Sequence, residues 1–197
     1  MKILITGASK GIGLQIAKEL AERGYELVLH CNSTEKALLA FVDENKNKNH
    51  IVKADLSTVV GAVDLFNQTC KAIGFPDSII NNAGVADSSP IEKDIKEWSA
   101  DFDKTISVNL KSPAIICKEF ILKKRTEKIS KRLRIINIAS RAAFRGEVED
   151  FISYACSKGG IVSLTKTITR SFGLNENVLA FSICLLYTSD AADDDAC

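Results

Sequence analysis

The sequence predicts an α/β fold in which a parallel sheet carries helices on both faces, a doubly wound arrangement. Short apolar runs alternate with longer amphipathic ones, and a glycine-rich turn at residues 7–13 directly follows the first apolar run. Such runs are typical of parallel strands that are buried on both faces and joined by crossover helices. The 197 residues suffice for one domain of this class with a sizeable core.

Six apolar runs predict six strands, and the stretches between them predict helices. We expect strands near residues 2–6, 26–30, 50–54, 78–81, 133–139 and 178–183. We expect helices between the first two strands and at residues 34–47, 59–73, roughly 98–125 and 151–173. A Rossmann-like, three-layer αβα sheet is the simplest topology, and its ligand should lie beyond the carboxyl ends of the strands. The series stops after the sixth strand, so we expect a sheet truncated at that point.

Periodicity and glycines set the expected ends of the first and last helices. Ile12, Ile16 and Leu20 recur every fourth residue, which predicts one apolar face. Gly24 stands where the C-cap of that helix belongs, and Gly173 is expected to close the last helix.

Composition argues against several classes of function. Basic and acidic side chains number 26 and 25, so the net charge of +1 gives no reason to expect a nucleic acid or an acidic membrane as partner. Nothing approaches the roughly eighteen-residue apolar run of a membrane span. The six cysteines and two histidines lie outside any metal-type spacing, which predicts reduced thiols and no metal site. The start of the chain leaves no room for a signal peptide, and we expect a cytoplasmic protein.

A basic stretch allows two interpretations. It is either a docking patch or, as we expect, a solvated helix end. Its members are Lys123, Lys124, Arg125, Lys128, Lys131, Arg132 and Arg134.

The end of the chain breaks the α/β pattern. From Cys184 onward it resembles one reading frame of a transposon-type sequencing adaptor. We therefore expect one α/β domain over residues 1–183, incomplete at its C-terminus, and a non-native or disordered tail over residues 184–197. The alternative is a genuine acidic tail.

The turn after the first strand has the composition of a phosphate-binding loop. Glycine permits positive φ, lets the backbone approach a pyrophosphate closely, and lets a helix pack tightly on its strand. The N-terminus of the following helix offers unpaired N–H groups and the positive end of its dipole. The spacing G-x-x-x-G-x-G differs from the Rossmann and P-loop fingerprints, and a structural glycine loop is the alternative. The candidate cofactor-binding residues here are Gly7, Ser9, Lys10, Gly11, Ile12 and Gly13.

The end of the second strand indicates which dinucleotide the turn binds. Sites for NAD place an acidic residue about twenty positions after the turn, where it holds the ribose 2′-hydroxyl. Here the strand ends His30, Cys31, Asn32, Ser33, with no carboxylate to repel a 2′-phosphate, and Lys10 offers that phosphate a positive charge. We expect NADP(H) to be favoured over NAD(H), with Asn32 among its contacts.

Three further residues predict acid–base chemistry at the same edge of the sheet. Tyr154 and Lys158 are four apart at the start of a predicted helix, so their side chains share one face. A free tyrosine holds its proton until about pH 10, and a neighbouring ammonium favours the phenolate. Ser140 follows the fifth strand, where its hydroxyl can donate to an oxygen that gains negative charge. Each residue alone is more often structural.

Asn109 is a fourth candidate because Pro113 follows it by four residues. Proline has no N–H, so the carbonyl of Asn109 would lose its helical partner and be free to bind water. The alternative is that Pro113 only kinks or ends the helix.

In this order, over residues 1 to about 183, these motifs resemble the short-chain dehydrogenase/reductase family. The resemblance rests on the glycine turn, the run Asn81, Asn82, Ala83, Gly84 after the fourth strand, and Tyr-x-x-x-Lys. The stretch from Ser140 to Gly146 is similar, less specifically, to the 3-oxoacyl-acyl-carrier-protein reductase branch. The resemblance implies hydride transfer between a nicotinamide and a small carbonyl or alcohol substrate, in a parent protein that forms a tetramer or dimer.

The resemblance also implies residue roles. Tyr154 would protonate the substrate oxygen, Lys158 would hold the ribose and tune the tyrosine, Ser140 would orient the substrate, and Asn109 would hold a water of the proton relay. The implied further cofactor contacts are Asp55, Leu56, Asn82, Ala83, Gly84, Tyr154 and Lys158.

The sequence departs from the family pattern at two places. Ser140 and Tyr154 are fourteen apart, one more than the family spacing, which indicates an inserted residue within 147–152 that a loop can absorb. The Pro-Gly that follows the sixth strand in the family, and contacts the nicotinamide there, is missing.

Three hypotheses follow. The first is an NADPH-dependent reductase of ketones that uses Tyr154, Lys158, Ser140 and Asn109. The second is an NADP(H)-binding regulator without turnover. The third is an inactive truncated fragment that exposes an open sheet edge and an uncovered helix face.

Overall fold

A computed structural model describes residues 1–33, 36–44 and 49–185. Strands and helices alternate along the chain, with a π-helical turn at Ser107–Lys111 and a 3-10 helix at Glu149–Phe151. The main elements are β1 (Lys2–Ile5), α1 (Gly11–Glu22), β2 (Glu26–Cys31), α2 (Lys36–Glu44), β3 (Asn49–Lys53), α3 (Val59–Ile73), β4 (Ser78–Asn81), α4 (Ile95–Ile106), α5 (Ser112–Thr126), β5 (Leu133–Ser140), α6 (Ala142–Arg145), α7 (Ile152–Glu176) and β6 (Val178–Leu185).

The sheet is parallel throughout, with strand order β3-β2-β1-β4-β5-β6. This confirms the predicted doubly wound, Rossmann-like fold. The order reverses between β1 and β4, so the crossover helices leave on opposite faces and a crevice opens at the carboxyl ends of these strands. The fold therefore places a ligand site where β1 gives way to α1 and where β4 ends.

The inner strands β1, β2, β4 and β5 bury both faces, and this explains their apolar runs. In β1, Leu4 packs into a core cluster with α3, α5 and α7, whereas Ile3 and Ile5 pack on the opposite face against α1 and α2. Side chains alternate between the two faces of a strand, so a two-sided core requires apolar residues at consecutive positions.

All six predicted strands are present, and none differs from its expected bounds by more than two residues. The strand β6 includes Cys184 and Leu185, so regular structure runs past the predicted domain boundary. The rest of the predicted tail, residues 186–197, lies outside the described residues. The same holds for residues 34, 35 and 45–47 of the predicted second helix, which is described over Lys36–Glu44.

The first helix ends as predicted, but one member of its apolar face is exposed. Gly24 follows the C-cap residue and has φ +77°, and its N–H donates to the carbonyl of Ala21 at 2.8 Å. Leu14 and Ala17 are buried, whereas Ile12 is 49% exposed. Ile12 stands on the first turn of α1, above the carboxyl edge of the sheet rather than over its face.

The prediction that Gly173 closes the last helix was wrong. The helix α7 runs through Gly173 to Glu176, and Asn177 ends it with φ +56°. Asparagine is the side chain that tolerates this left-handed conformation best after glycine. Its side chain is also held, because Arg132 Nε donates to Asn177 Oδ1 at 2.9 Å.

The long helix predicted over residues 98–125 is divided into three parts. The helix α4 begins earlier, at Ile95, where the Asp94 side chain accepts the Lys96 N–H at 2.9 Å. A π-helical turn then separates α4 from α5, and the Ser112 N–H donates to the carbonyl of Ser107, five residues back. Pro113 lies in the first turn of α5, a position at which its missing N–H breaks no bond within that helix.

The basic stretch is not simply a solvated helix end. Lys124 is buried, and its ammonium donates to the carbonyls of Ile129 and Lys131, the latter at 2.8 Å. Arg125 pairs with Glu176, and Lys131 pairs with Asp77. These contacts therefore connect the basic stretch to other segments of the domain.

Among the described residues, no helix has both the length and the apolar character needed to cross a membrane.

The aromatic contacts around Phe120 give a test of the core. Phe120 is fully buried, with its ring centroid 5.1 Å from that of Phe75 and 6.2 Å from that of Phe66. Phe120→Ala should lower the free energy of unfolding by about 3–5 kcal/mol, because it removes buried area and leaves a cavity. Leu122→Ala on the same helix is the control, since Leu122 is 43% exposed. Denaturant unfolding that gives equal losses for both variants would contradict this core.

Candidate active site

The glycine turn packs directly on the segment that follows β4. Gly7 has φ +65°, and a Cβ built on it would lie 2.8 Å from Ala83 Cα. A Cβ on Gly13 would lie 2.1 Å from the carbonyl oxygen of Gly7 and 2.5 Å from Asn82 Nδ2. Both positions therefore exclude any side chain. Gly11 also has positive φ, at +52°, but a Cβ there would meet open space.

Hydrogen bonds hold the two segments together. The backbone N–H groups of Asn82 and Ala83 both donate to Thr6 Oγ1 at 2.9 Å. The side-chain amide Nδ2 of Asn82 donates to the carbonyls of Thr6 at 2.9 Å and Gly7 at 3.0 Å. Asn82, predicted to contact a cofactor, thus also braces the turn.

The N-terminus of α1 faces the same crevice with its N–H groups uncapped by side chains. Lys10 occupies the N-cap position without a side-chain hydrogen bond to the helix, and the first turn carries no acidic residue. By contrast, Thr58 and Asp94 cap the N-termini of α3 and α4. An uncapped N-terminus with a positive dipole end favours an anionic group.

A cavity of about 580 Å³ runs along the carboxyl edge beside this turn. It brings together most of the sequence-predicted cofactor residues, whereas Gly11, Tyr154 and Lys158 are not in its lining. The predicted residues that line it are Gly7, Ser9, Lys10, Ile12, Gly13, Asn32, Asp55, Leu56, Asn82, Ala83 and Gly84.

Asp55 is held at one end of this cavity by the chain that follows it. Its Oδ1 accepts the Ser57 N–H at 2.9 Å, and this bond lowers the pKa of the Asp55 carboxyl. The carboxylate is thus stabilised in its charged form next to the buried Leu56.

Several lining residues were missed from the sequence. Lys104 and Val108 are four apart on neighbouring helical turns, and Lys104 Nζ lies 2.6 Å from an oxygen of Asp87. That spacing on one helix face was the signal that could have found them. No sequence motif marked the others, which are His30, Cys31, Ser33, Ser57 and Val85.

His30 joins two sides of this cavity. Its Nδ1 lies 3.0 Å from the Gly7 amide nitrogen, and its Nε2 lies 3.0 Å from the carbonyl oxygen of Ala54. The side chain is buried, and this burial lowers the pKa of the imidazole.

A second cavity, of about 400 Å³, adjoins the first and is lined by three of the four predicted catalytic residues. It is lined by Ser140, Tyr154 and Lys158, and it shares Ile12, Asn82, Gly84 and Val85 with the first cavity. The two hydroxyl-bearing residues therefore lie at the same edge of the sheet as the glycine turn.

Lys158 is buried beside Tyr154. Its Nζ lies 5.6 Å from the centroid of the tyrosine ring and donates to the carbonyl of Ile138 at 2.8 Å. Burial lowers the pKa of Lys158 to about 8. This ammonium therefore changes its charge close to neutral pH.

Ser140 and Tyr154 also border a third cavity, of about 380 Å³, on the side away from the glycine turn. Its other wall is formed by Glu147, Val148 and Phe151. The stretch that holds the predicted insertion thus forms a wall, with a 3-10 helix at Glu149–Phe151, and both hydroxyl-bearing residues still reach one site.

Asn109 lies just behind Gly84 and is buried. Its Oδ1 accepts the Val85 N–H at 2.8 Å, and its Nδ2 donates to the Val85 carbonyl at 2.8 Å and to Ser157 Oγ at 3.1 Å. A Cβ on Gly84 would lie 3.4 Å from Asn109 Oδ1 and 3.7 Å from Lys158 Nζ. The side chain therefore fixes the segment after β4, close to Lys158, and is not itself in the cavity lining.

Comparison with known proteins places this geometry in one family. The family model described as "short chain dehydrogenase" matches residues 1–193. Among curated proteins, the chain is 35% identical over 173 residues to the (2S)-[(R)-hydroxy(phenyl)methyl]succinyl-CoA dehydrogenase subunit BbsD of Thauera aromatica, covering 86% of this chain and 66% of that protein. The chain spans 62% to 66% of the length of the first curated relatives it matches.

Solved structures of dehydrogenases and oxidoreductases share the fold of this chain. A 4-hydroxyisoleucine dehydrogenase complexed with NADH superposes with a TM-score of 0.82 at 28% identity, covering 93% of this chain and 72% of that one. A metagenomic short-chain oxidoreductase in complex with NADP superposes with a TM-score of 0.80 at 27% identity, covering 95% of this chain and 82% of that one. Because the family model spans almost the whole sequence and these neighbours share its fold, the chain belongs to the short-chain dehydrogenase family.

Proposed function

We propose that the protein is an NADPH-dependent reductase that delivers a hydride to the carbonyl carbon of a small ketone and a proton to its oxygen. The observation that carries the proposal is the shared lining of the two cavities. Ser140, Tyr154 and Lys158 border a space that adjoins the glycine turn. A dinucleotide held along the turn would bring its reactive end to these three side chains.

The residues present fit such a dinucleotide. The uncapped first turn of α1 and the glycine turn suit a pyrophosphate. Asp55 and Leu56 suit the adenine end. Lys10 and Asn32 suit a 2′-phosphate, because both line the cavity and Asn32 directly follows β2. When bound, the reduced cofactor supplies the hydride.

The side chains of the second cavity supply the proton and the stabilisation of charge. The carbonyl oxygen gains negative charge during reduction, and Ser140 Oγ donates a hydrogen bond to it. Tyr154 gives its phenolic proton to that oxygen as general acid. The Lys158 ammonium, beside the ring, favours the phenolate that remains.

The proton lost by Tyr154 is restored from solvent. We assign Asn109 to this relay through its backbone carbonyl, because Pro113, four residues on, has no N–H to offer it. The reverse reaction, oxidation of an alcohol, uses the same groups.

The 3-oxoacyl class of substrate rests on the similarity of residues 140–146, and assembly into a dimer or tetramer rests on the family resemblance. The cytoplasmic location stays a prediction, as does the adaptor origin of the tail.

The role of Tyr154 is tested by removing one oxygen atom. Tyr154→Phe should lower kcat/KM for NADPH oxidation with diketones, quinones or acyl thioesters by about 10²–10⁴-fold, because general acid catalysis is lost. The Kd for NADPH should stay unchanged. Tyr25→Phe is the control, since Tyr25 precedes β2 at the opposite edge of the sheet. Wild-type protein that binds NADPH but turns over no substrate class would contradict the reductase and favour the regulator.

The pH dependence of kcat/KM tests Lys158. The free enzyme loses the Lys158 proton as the pH rises through about 8, so kcat/KM for reduction should be full below that pH and fall above it. Lys158→Arg keeps the positive charge at every accessible pH, and its residual activity should fall only at higher pH. An identical inflection in both proteins would show that another group titrates.

The preference between dinucleotides tests Lys10. Lys10→Ala should weaken NADPH binding by about tenfold and leave NADH binding nearly unchanged, because only NADPH carries the 2′-phosphate that the ammonium meets. Lys18→Ala is the matched control, since Lys18 is an exposed lysine further along α1. Equal losses for the two dinucleotides, measured by fluorescence titration, would contradict the assignment.

A further inference from the structure

His30 links the two arms of the cofactor cavity through its imidazole ring. One arm is the glycine turn, reached through the Gly7 N–H, and the other is the end of β3, reached through the carbonyl of Ala54. Ala54 immediately precedes Asp55, which we place at the adenine end. The ring therefore connects two segments that line the cavity proposed for the dinucleotide.

The two contacts define the protonation state of the ring. The Gly7 N–H is a donor, so Nδ1 must be an acceptor; the Ala54 carbonyl is an acceptor, so Nε2 must carry the hydrogen. Only the neutral tautomer with hydrogen on Nε2 satisfies both. Burial supports this state, since it lowers the pKa of the imidazole.

The Gly7 peptide has little freedom to move towards another acceptor if the His30 ring is lost. Its carbonyl accepts Asn82 Nδ2 at 3.0 Å, and its Cα lies against Ala83 at positive φ. The neighbouring backbone bond, from the Ala8 N–H to the carbonyl of His30 at 2.8 Å, is independent of the side chain. Loss of the ring acceptor would thus leave the Gly7 N–H unpaired while the rest of the turn stayed in place.

We infer that His30 is a positioning residue for the dinucleotide, acting through the Gly7 amide to hold the turn in its binding conformation. The inference rests on the proposed function, because it concerns the same cavity. His30 contacts neither the reacting carbon nor the reacting oxygen, so it governs affinity for the cofactor and leaves the chemical step alone. Its contact with Gly7 is the one that matters for affinity, whereas its contact with Ala54 orients the ring.

Two substitutions separate these contacts. Asparagine places an oxygen where Nδ1 stands and can still accept the Gly7 N–H, but it does not reach Ala54. Glutamine places an amide nitrogen where Nε2 stands and can still donate to Ala54, but it offers nothing at the Nδ1 position. Each variant keeps one of the two bonds, so the pair is matched in side-chain chemistry and in the number of bonds lost.

The measurement is the Kd for NADPH by fluorescence titration of the full chain, together with kcat and KM for the cofactor. We expect His30→Asn to stay within about threefold of wild type and His30→Gln to raise Kd and KM about tenfold, the effect of one unpaired buried donor. The kcat at saturating cofactor should be the same in all three proteins. Equal Kd values for the two variants, a weaker Asn variant, or a loss confined to kcat would overturn the inference.

Two further readouts separate this inference from the proposed function. The ¹⁵N shifts of His30 in the free protein should show hydrogen on Nε2 alone, and a ring with hydrogen on Nδ1 would overturn the positioning role without any ligand. If the three proteins rank in NADPH affinity as expected but no substrate turns over, the proposed reductase activity is wrong and the role of His30 still holds. If no dinucleotide binds, both fail.

Discussion

The structure of the site depends on one close contact between two pieces of backbone. At the point where the strand order reverses, the turn after β1 and the segment after β4 must lie side by side, and there is no room between them for a Cβ on Gly7 or Gly13. Thr6 and Asn82 then convert that contact into a set of hydrogen bonds. The contact is steric in origin, and it forces α1 to begin with its N-terminus facing the crevice. That direction of the helix dipole favours an anionic group in the crevice.

A second constraint concerns the charge on Lys158. The domain buries this ammonium against a neutral carbonyl, that of Ile138. Burying a charge without a counter-ion costs free energy, which explains why its pKa falls towards neutrality. Among the described residues no carboxylate pairs with Lys158, so no counter-ion weakens the effect of its charge on the ring of Tyr154. In the proposed mechanism, burying this charge lowers the stability of the folded chain and provides an electrostatic field at the phenol.

The strands, the parallel sheet and most of the cavity lining could be predicted because they follow from local signals. Consecutive apolar residues such as Ile3, Leu4 and Ile5 require a strand buried on both faces, and a glycine after such a strand marks a turn. What escaped prediction depends on contacts between distant segments. The helix ends at Asn177 rather than at Gly173 because the chain turns there to enter β6. No residue pattern within α7 predicts this end. No motif marked His30, because its two partners, Gly7 and Ala54, lie twenty-three and twenty-four residues away in the sequence.

The wide turn at residues 107–111 has a consequence for how the domain tolerates changes in length. A π-helical turn, with its i→i+5 hydrogen bond, contains one residue more than an α-helical turn. The side chains of α5 are therefore displaced by one residue, or about 100° around the helix axis, from where an uninterrupted α-helix would place them. Deleting one residue there would restore regular geometry and remove a local irregularity. It would also swing Asn109 away from Val85 and Ser157. A regular α-helix at this point would therefore not place the Asn109 amide against Val85 and Ser157.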